Sequence, residues 1–495
     1  MMTNIAYNSL KKVFQKHSII SDINSILYWD LATMLPEKSW KERSLQLEYL
    51  NKLKHEIMTS KSVKDLFEKV EEQDLDFKNK RNFLEMRKEF LYLNSLPEEL
   101  VKKKSKLSIQ CEGLWIKAKK EKNFKVVEET FERLVNVIIE ESEILSQSMD
   151  CTPYDSLLKQ YEDSYSSSDI DILFNKIKPE ILELYPEVIK KQKNQKLIPF
   201  NQEISKEAQY VLSKEVMKEI GFDFKRGRFD KSEHPFCGGS TDDIRITTKY
   251  IDENFFAALE ASMHETGHAL YELGLPKNWR HQPIGKSGGM ALHESQSLLI
   301  EMQIYRSLAF KKYLEKKLRK NYNYNDISLN AQNLFGHCNK VAKSFIRIYS
   351  DEVTYPLHII LRYNLEKKIL SREISVKDLP HFWNELFFDT FDIRVLNDSQ
   401  GCLQDIHWYG GAFGYFPTYS LGAMISAQIT FKLKKDIPNF DKKIMRGDFK
   451  EIIKWIKKNI HQKGRLYNTQ EIVNQSSGQP LEPSFFLNYL KRKYL

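Results

Sequence analysis

The chain has 495 residues, enough to bury a large core as two domains or as one large helical unit. Its formal charge of +9 comes from 76 Lys+Arg against 67 Asp+Glu. Lysines and glutamates are interleaved, and runs such as Lys102-Lys103-Lys104 are short, a pattern of solvated helix faces that argues against a nucleic-acid-binding surface. Five widely spaced cysteines without a CxxC suggest neither a disulfide framework nor a thiolate metal site. With no apolar run near the roughly 18 residues of a membrane span and no signal-peptide core, a reducing cytoplasm is the expected location.

Residues 1 to about 220 predict successive amphipathic helices, for example Ile23 to Leu31 and Phe124 to Leu145. Gly113 is the only glycine in the first 200 residues, whereas 14 of the 19 fall within 221–289 or 401–422, where tight turns are needed. A mixed segment covers about 221 to 250. Within it, Asp243 to Tyr250 alternates polar with β-branched residues and predicts a strand or hairpin arm, beside whose edge an extended peptide could be held. From Glu253 to Leu275 the apolar positions Phe256, Leu259, Met263, Leu270 and Leu273 have helical spacing, and Gly274 and Pro276 supply a stop. Pro283, Gly285, Gly288 and Gly289 then predict a turn before a second helix from Met290. Helices are expected to continue to about Arg394. After a glycine-rich loop they resume from Leu421 to the end, broken at Asn474 to Pro483, with no internal repeat or long linker.

The first of these central helices holds His264-Glu265-Thr266-Gly267-His268. Residues four apart share a helix face, so both imidazoles can meet one metal ion while Glu265 can take a proton from a metal-activated water. A catalytic zinc site of this kind needs a third ligand, and Glu294, 26 residues past His268, is the candidate. Glu301, two turns beyond Glu294 on the same face, is placed to hydrogen-bond a ligand histidine; the alternative is a solvated helix glutamate.

A series of motifs in order resembles the Taq-type (thermostable carboxypeptidase 1) metallocarboxypeptidase family. His234-Pro235-Phe236 is similar to the family's HPF, and Asp243-Ile244-Arg245-Ile246-Thr247 to its DxRxT. HETGH and His293-Glu294-Ser295 match its metal-site motifs. Ile346-Arg347-Ile348-Tyr349-Ser350-Asp351 resembles (I/V)RxxAD with Ser350 in place of alanine. Gly401 to Trp408 matches GxxQDxHW, followed by Gly414-Tyr415-Phe416-Pro417-Thr418-Tyr419. The N-terminal half matches more loosely, through Trp29-Asp30 and Pro36.

The resemblance implies a mainly α fold: one unit over 1–495, with a central substrate groove and a small β element next to the metal site. Residues 1–220 would form one wall of the groove and 221–495 the catalytic region. It implies a homodimer with one Zn²⁺ per subunit, Co²⁺ or Mn²⁺ being substitutes, acting on peptides with a free C-terminus with broad specificity. His264, His268 and Glu294 would hold the metal and Glu265 would be the general base. Tyr415, Tyr419 or His407 could donate to the oxyanion, or these aromatics could merely line the loop. Arg347 is the first candidate for the terminal carboxylate and Arg245 the second, since a guanidinium fork suits a carboxylate. A structural ion pair, for instance with Asp351 or Asp243, is the alternative for either. His234 and Gln404 are further substrate-contact candidates. An oligopeptidase or dipeptidase on the same site is the competing reading, and an inactive scaffold or nucleic-acid binder a more distant one.

Overall fold

Helices Met2–Thr33, Trp40–Thr59, Lys61–Glu68 and Phe77–Ser95 bring Leu10, Phe14, Phe67, Phe83 and Met86 into a small core of their own. Each such side chain removed from water contributes about 1.5–3 kcal/mol. The remaining helices of the N-terminal stretch, Glu98–Glu121 through Lys206–Ile220, pack instead into the main core, which runs from Leu100 to Tyr494. This computed structural model describes residues 2–200, 204–232, 234–250 and 255–495. Among the described residues there are twenty α-helices and one three-stranded sheet, so the fold is mainly α as expected. None of these helices is long and apolar enough to cross a membrane.

The sheet has the order β1 (Gly227–Lys231), β3 (Asp243–Thr248), β2 (Cys237–Ser240). β1 runs parallel and β2 antiparallel to β3, and Ile244 and Ile246 of β3 are buried toward the core. The predicted strand is therefore real but central. Both its ladders are occupied, and the edge nearer the HETGH helix belongs to the short β2.

The sheet and the HETGH helix, Phe255–Gly274, pack on one another. Positions 253 and 254 of the expected helix lie outside the described residues. Helix Met290–Leu298 follows the predicted turn and continues into a π-helical stretch, Leu299–Tyr305. Helix Pro417–Asp436 packs across it, starting four residues earlier than expected because Pro417 is pre-organised for a first helical turn.

The expected helices run to Phe391, but they are interrupted over 339–354, which is irregular apart from the single turn Arg347–Tyr349. Its backbone polar groups are satisfied by side chains instead. Gln192 accepts from Val341 N and donates to Asn339 O, while Asp351 accepts from the amides of Ala342, Val353 and Thr354. Pro356 then starts helix Tyr355–Leu370.

Candidate active site

His264 and His268 lie one helical turn apart, and both turn Nε2 toward Glu294. Glu294 Oε2 is 3.7 Å from His264 Nε2 and 3.3 Å from His268 Nε2. Donors each about 2.1 Å from one tetrahedral ion are separated by about 3.4 Å, so the spacing fits a divalent metal between them. These three donors lie within 4.8 Å of one another. Ser297 Oγ donates to the same oxygen, Glu294 Oε2, at 3.0 Å and helps to fix the carboxylate.

With Nε2 facing Glu294, His264 donates from Nδ1 to Glu301 Oε2 at 2.7 Å. The reading of Glu301 as the partner of a ligand histidine fits this contact, and its solvated alternative does not, because the residue is buried. Arg306 pairs with the other oxygen of Glu301 at 3.0 Å. Burial opposes ionisation of Glu301, but Arg306 and His264 outweigh it and hold the carboxyl down at about 2. Burial likewise opposes charge on His264, yet Glu294 and Glu301 carry it up to about 10.

Glu265 shares the HETGH helix and is only 8 % exposed. Burial, opposed by His264 and reinforced by Glu294, pushes its carboxyl up to about 7. His293 stacks on His268 with ring centroids 4.6 Å apart and pairs with Glu272 at 2.9 Å. A polar cavity of about 360 Å³ opens against His293, Glu272 and Cys237.

A wall of aromatic residues lies separately from this cavity, near the Glu294 carboxylate. Tyr415 stands edge-on to Tyr419 with centroids 5.2 Å apart, and His407 Nε2 lies 3.3 Å from the Tyr419 hydroxyl. Burial raises both tyrosine hydroxyls, and the nearby Glu294 carboxylate adds to the rise, so each stays a proton donor. Burial lowers His407 to about 4, with Arg347 and Arg362 acting in the same direction against Asp405.

Beneath this wall, Arg347 donates to Asp405 Oδ1 from Nε at 2.9 Å and Nη2 at 2.6 Å, and to the Tyr355 hydroxyl from Nη1. Arg362 donates to the other oxygen of Asp405 at 2.7 Å. Two guanidinium groups thus share one carboxylate beside a neutral His407, leaving a net charge of about +1 in a buried setting. The ion pair foreseen for Arg347 exists, with Asp405 as the partner rather than Asp351. Ser350 Oγ donates to Arg347 O, so the departure from the family's alanine fits its turn.

Other predicted residues fall outside this cluster. Arg245 is bidentate to Asp243 at 3.0 and 2.6 Å and lies over the Trp29 ring, where it ties the first helix to the sheet. Asp351 spends its oxygens on the amides of its own loop and on Thr354 Oγ1. Gln404 uses its whole amide internally, accepting from Arg347 N and Arg362 and donating to Phe345 O and Gln400 O. His234 is exposed on the loop before β2.

Three contributors escaped the sequence reading. Tyr355 and Arg362 sit seven residues apart on one helix face, a spacing that could have paired them with the arginine motif. Gly267 was the third: a Cβ there would meet Gln296 O at 2.4 Å and Ser297 Cα at 2.5 Å, so the helices that carry the two histidines and Glu294 cross at this glycine. A glycine inside a helical pattern was the available signal.

A model of the carboxypeptidase Taq (M32) metallopeptidase family matches residues 9–494. Carboxypeptidase 1 of Bacillus subtilis (strain 168) is 33% identical over 493 residues, covering 99% of this chain and 97% of that protein. Thermostable carboxypeptidase 1 of Pyrococcus furiosus is 30% identical over 494 residues, 98% of each chain. The solved structure of Trypanosoma cruzi metallocarboxypeptidase 1 superposes with a TM-score of 0.97 at 34% identity, over 99% of both chains.

Proposed function

From the premise that this chain belongs to the M32 metallopeptidase family, and so is a metal-dependent carboxypeptidase, we propose a zinc enzyme of broad specificity whose general base is Glu265. The observation that carries the metal assignment is the close approach of His264, His268 and Glu294, whose donor atoms lie within 4.8 Å of one another. A divalent ion held there would supply Lewis acidity, lowering the pKa of a water and polarising the scissile carbonyl. Two histidines and a carboxylate form a donor set that suits zinc, with Co²⁺ or Mn²⁺ as substitutes.

Glu265 takes the proton of the attacking water and returns it to the leaving amine. Its burial beside His264 and Glu294, which favours the protonated form, supports its holding a proton between the two transfers. Tyr415 or Tyr419 donates to the developing oxyanion, with His407 holding the Tyr419 hydroxyl in place. Arg347 receives the substrate's terminal carboxylate: Asp405 fixes its orientation, while the net positive charge of the cluster favours an anion. Gln404 serves this reading from behind, by propping Arg347 and Arg362.

The same reading makes residues 1–495 one catalytic unit, with 1–220 as a wall of the substrate groove. It places the protein as a homodimer in the cytoplasm, where five unpaired cysteines would be at home.

The test is incubation of a longer peptide and a blocked dipeptide with the enzyme, with and without chelator, followed by mass spectrometry. Stepwise C-terminal ladders that vanish on chelation are expected. Internal fragments appearing first would replace the reading with an oligopeptidase. Glu265→Gln should lose the ladders while keeping its metal, and an active Gln variant would remove Glu265 from the base role.

A further inference from the structure

A second cavity, of about 590 Å³, is lined by residues that the catalytic reading leaves unused. Its walls come from helices Leu308–Tyr322, Pro417–Asp436, Phe440–Met445 and Ser484–Tyr494, with Met302 and Gln303 of the π-helical stretch between them. No residue of the metal cluster, the aromatic wall or the Arg347–Asp405 pair lines it. The volume falls within the roughly 300–1,000 Å³ of small-molecule sites.

The lining has two chemically distinct parts. Met302, Leu308, Phe335, Met445, Phe431 and Phe485 give an apolar interior, and the rings of the last two meet with centroids 4.8 Å apart. Phe431 is 36% exposed, so this apolar surface opens to solvent with nothing covering it. Four cations line the cavity, Lys312, Lys434, Arg492 and Lys493, against one acid, Asp441. Two of the four are spoken for: Lys434 faces Asp441 at 3.6 Å, and Lys493 is paired with the buried Glu352. Lys312 and Arg492 are exposed and have no ion pair among the described residues, which leaves two uncompensated positive charges beside an apolar interior.

We propose that this cavity binds an amphipathic monocarboxylate, its hydrocarbon chain on the methionine and phenylalanine lining and its carboxylate at Arg492 and Lys312. The charge pattern selects an anion over a neutral or cationic amphiphile. It also disfavours a free amino acid, whose ammonium group would enter an already positive surrounding. Methionine side chains suit such a ligand because they adapt to flexible chains. The proposal does not depend on the metal or on the general base.

Isothermal titration of the full-length protein with hexanoate, octanoate and decanoate, each below its micelle concentration, tests it. One saturable site per chain is expected, tightening roughly fourfold per methylene, the equivalent of about 0.8 kcal/mol each. The methyl ester of octanoate should bind at least tenfold more weakly than octanoate. Lys312→Glu combined with Arg492→Glu changes only exposed side chains and should weaken decanoate at least tenfold, with peptidase activity unchanged. Ala427→Trp, which fills the interior, should abolish binding. Absence of saturable binding, or equal binding by both variants and the parent, overturns the proposal. So does a parent dimer that the double variant dissociates without any carboxylate binding, since the cavity would then be an interface between copies.

Discussion

Asp405 holds Arg347 through two donors at 2.9 and 2.6 Å, and the pair is buried beneath Tyr419. A guanidinium so oriented is pre-organised for one more anion. Arg347→Ala is therefore expected to raise KM for peptides with a free C-terminus by roughly 10–100-fold, the worth of a charge-assisted hydrogen bond of about 1.5–3 kcal/mol. Cleavage of C-terminally amidated analogues should change far less. Steady-state kinetics on matched peptide pairs, with thermal melting as a control for folding, checks the difference. Equal losses on both substrates would reduce Arg347 to a structural partner of Asp405.

The contact between His264 Nδ1 and Glu301 gives an outcome that activity alone would not reveal. A carboxylate behind a ligand histidine fixes its tautomer and raises its basicity, and its loss typically costs about 10–100-fold in metal affinity. Glu301→Gln keeps the shape and a hydrogen-bonding group but removes the charge. Competition against a chromophoric chelator should show zinc affinity falling within that range. Affinity equal to the parent's would mean that Glu301 answers only to Arg306.

The grouping of His264, His268 and Glu294 was legible because a helix converts sequence spacing directly into geometry. His264, Glu265 and His268 needed only a 3.6-residue period, and Glu294 only a second helix at a plausible distance. Glu301 lies on the same face even though the intervening helix is partly π-wound, since the few π-wound residues before it rotate it by only a fraction of a turn. The arginine motif was harder. Arg347 lies in the irregular stretch 339–354, held by contacts with Gln192 and Asp405 that are far away in sequence, and no local period encodes such contacts. The same cause hid the roles of Gln404 and Asp351: a polar residue in a motif reads alike whether it meets substrate or its own backbone. The strand at Asp243–Thr248 was found from alternation, but alternation does not say which strand is the edge.

A buried carboxyl away from the metal sets a pH dependence of stability. Glu366 accepts from Trp408 Nε1, the Tyr154 hydroxyl and Gly414 N, yet its burial dominates and raises it from 4.5 to about 7. The folded chain then holds this proton more tightly than the unfolded chain does. Its stabilising contribution is complete below about pH 4.5 and is lost as the pH rises through about 7. A rise of that size corresponds to roughly 3 kcal/mol. Glu366→Gln cannot ionise, so the fall in melting temperature between pH 5.5 and 8 should be smaller in this variant than in the parent. Parallel melting curves against pH for the two proteins would show that Glu366 ionises as readily folded as unfolded.

Gly267 offers the sharpest structural test, because its role is purely one of space. The HETGH helix and the Glu294 helix approach until a Cβ at position 267 would lie 2.4 Å from Gln296 O and 2.5 Å from Ser297 Cα. Both are backbone atoms, so no side chain can rotate aside to make room. Gly267→Ala would ordinarily favour a helix by about 1 kcal/mol. Here the added methyl must push the two helices apart, at a typical overpacking cost of about 1–3 kcal/mol. The displacement falls on the line between the two histidines and Glu294, where donor spacings of 3.3 and 3.7 Å leave little tolerance. The variant should therefore fold with a melting temperature lowered by only a few degrees, while losing most of its zinc affinity and its peptidase activity. Metal content after dialysis and the peptide-ladder assay measure both. An alanine variant that keeps full metal affinity and activity would show that the crossing can relax without moving Glu294.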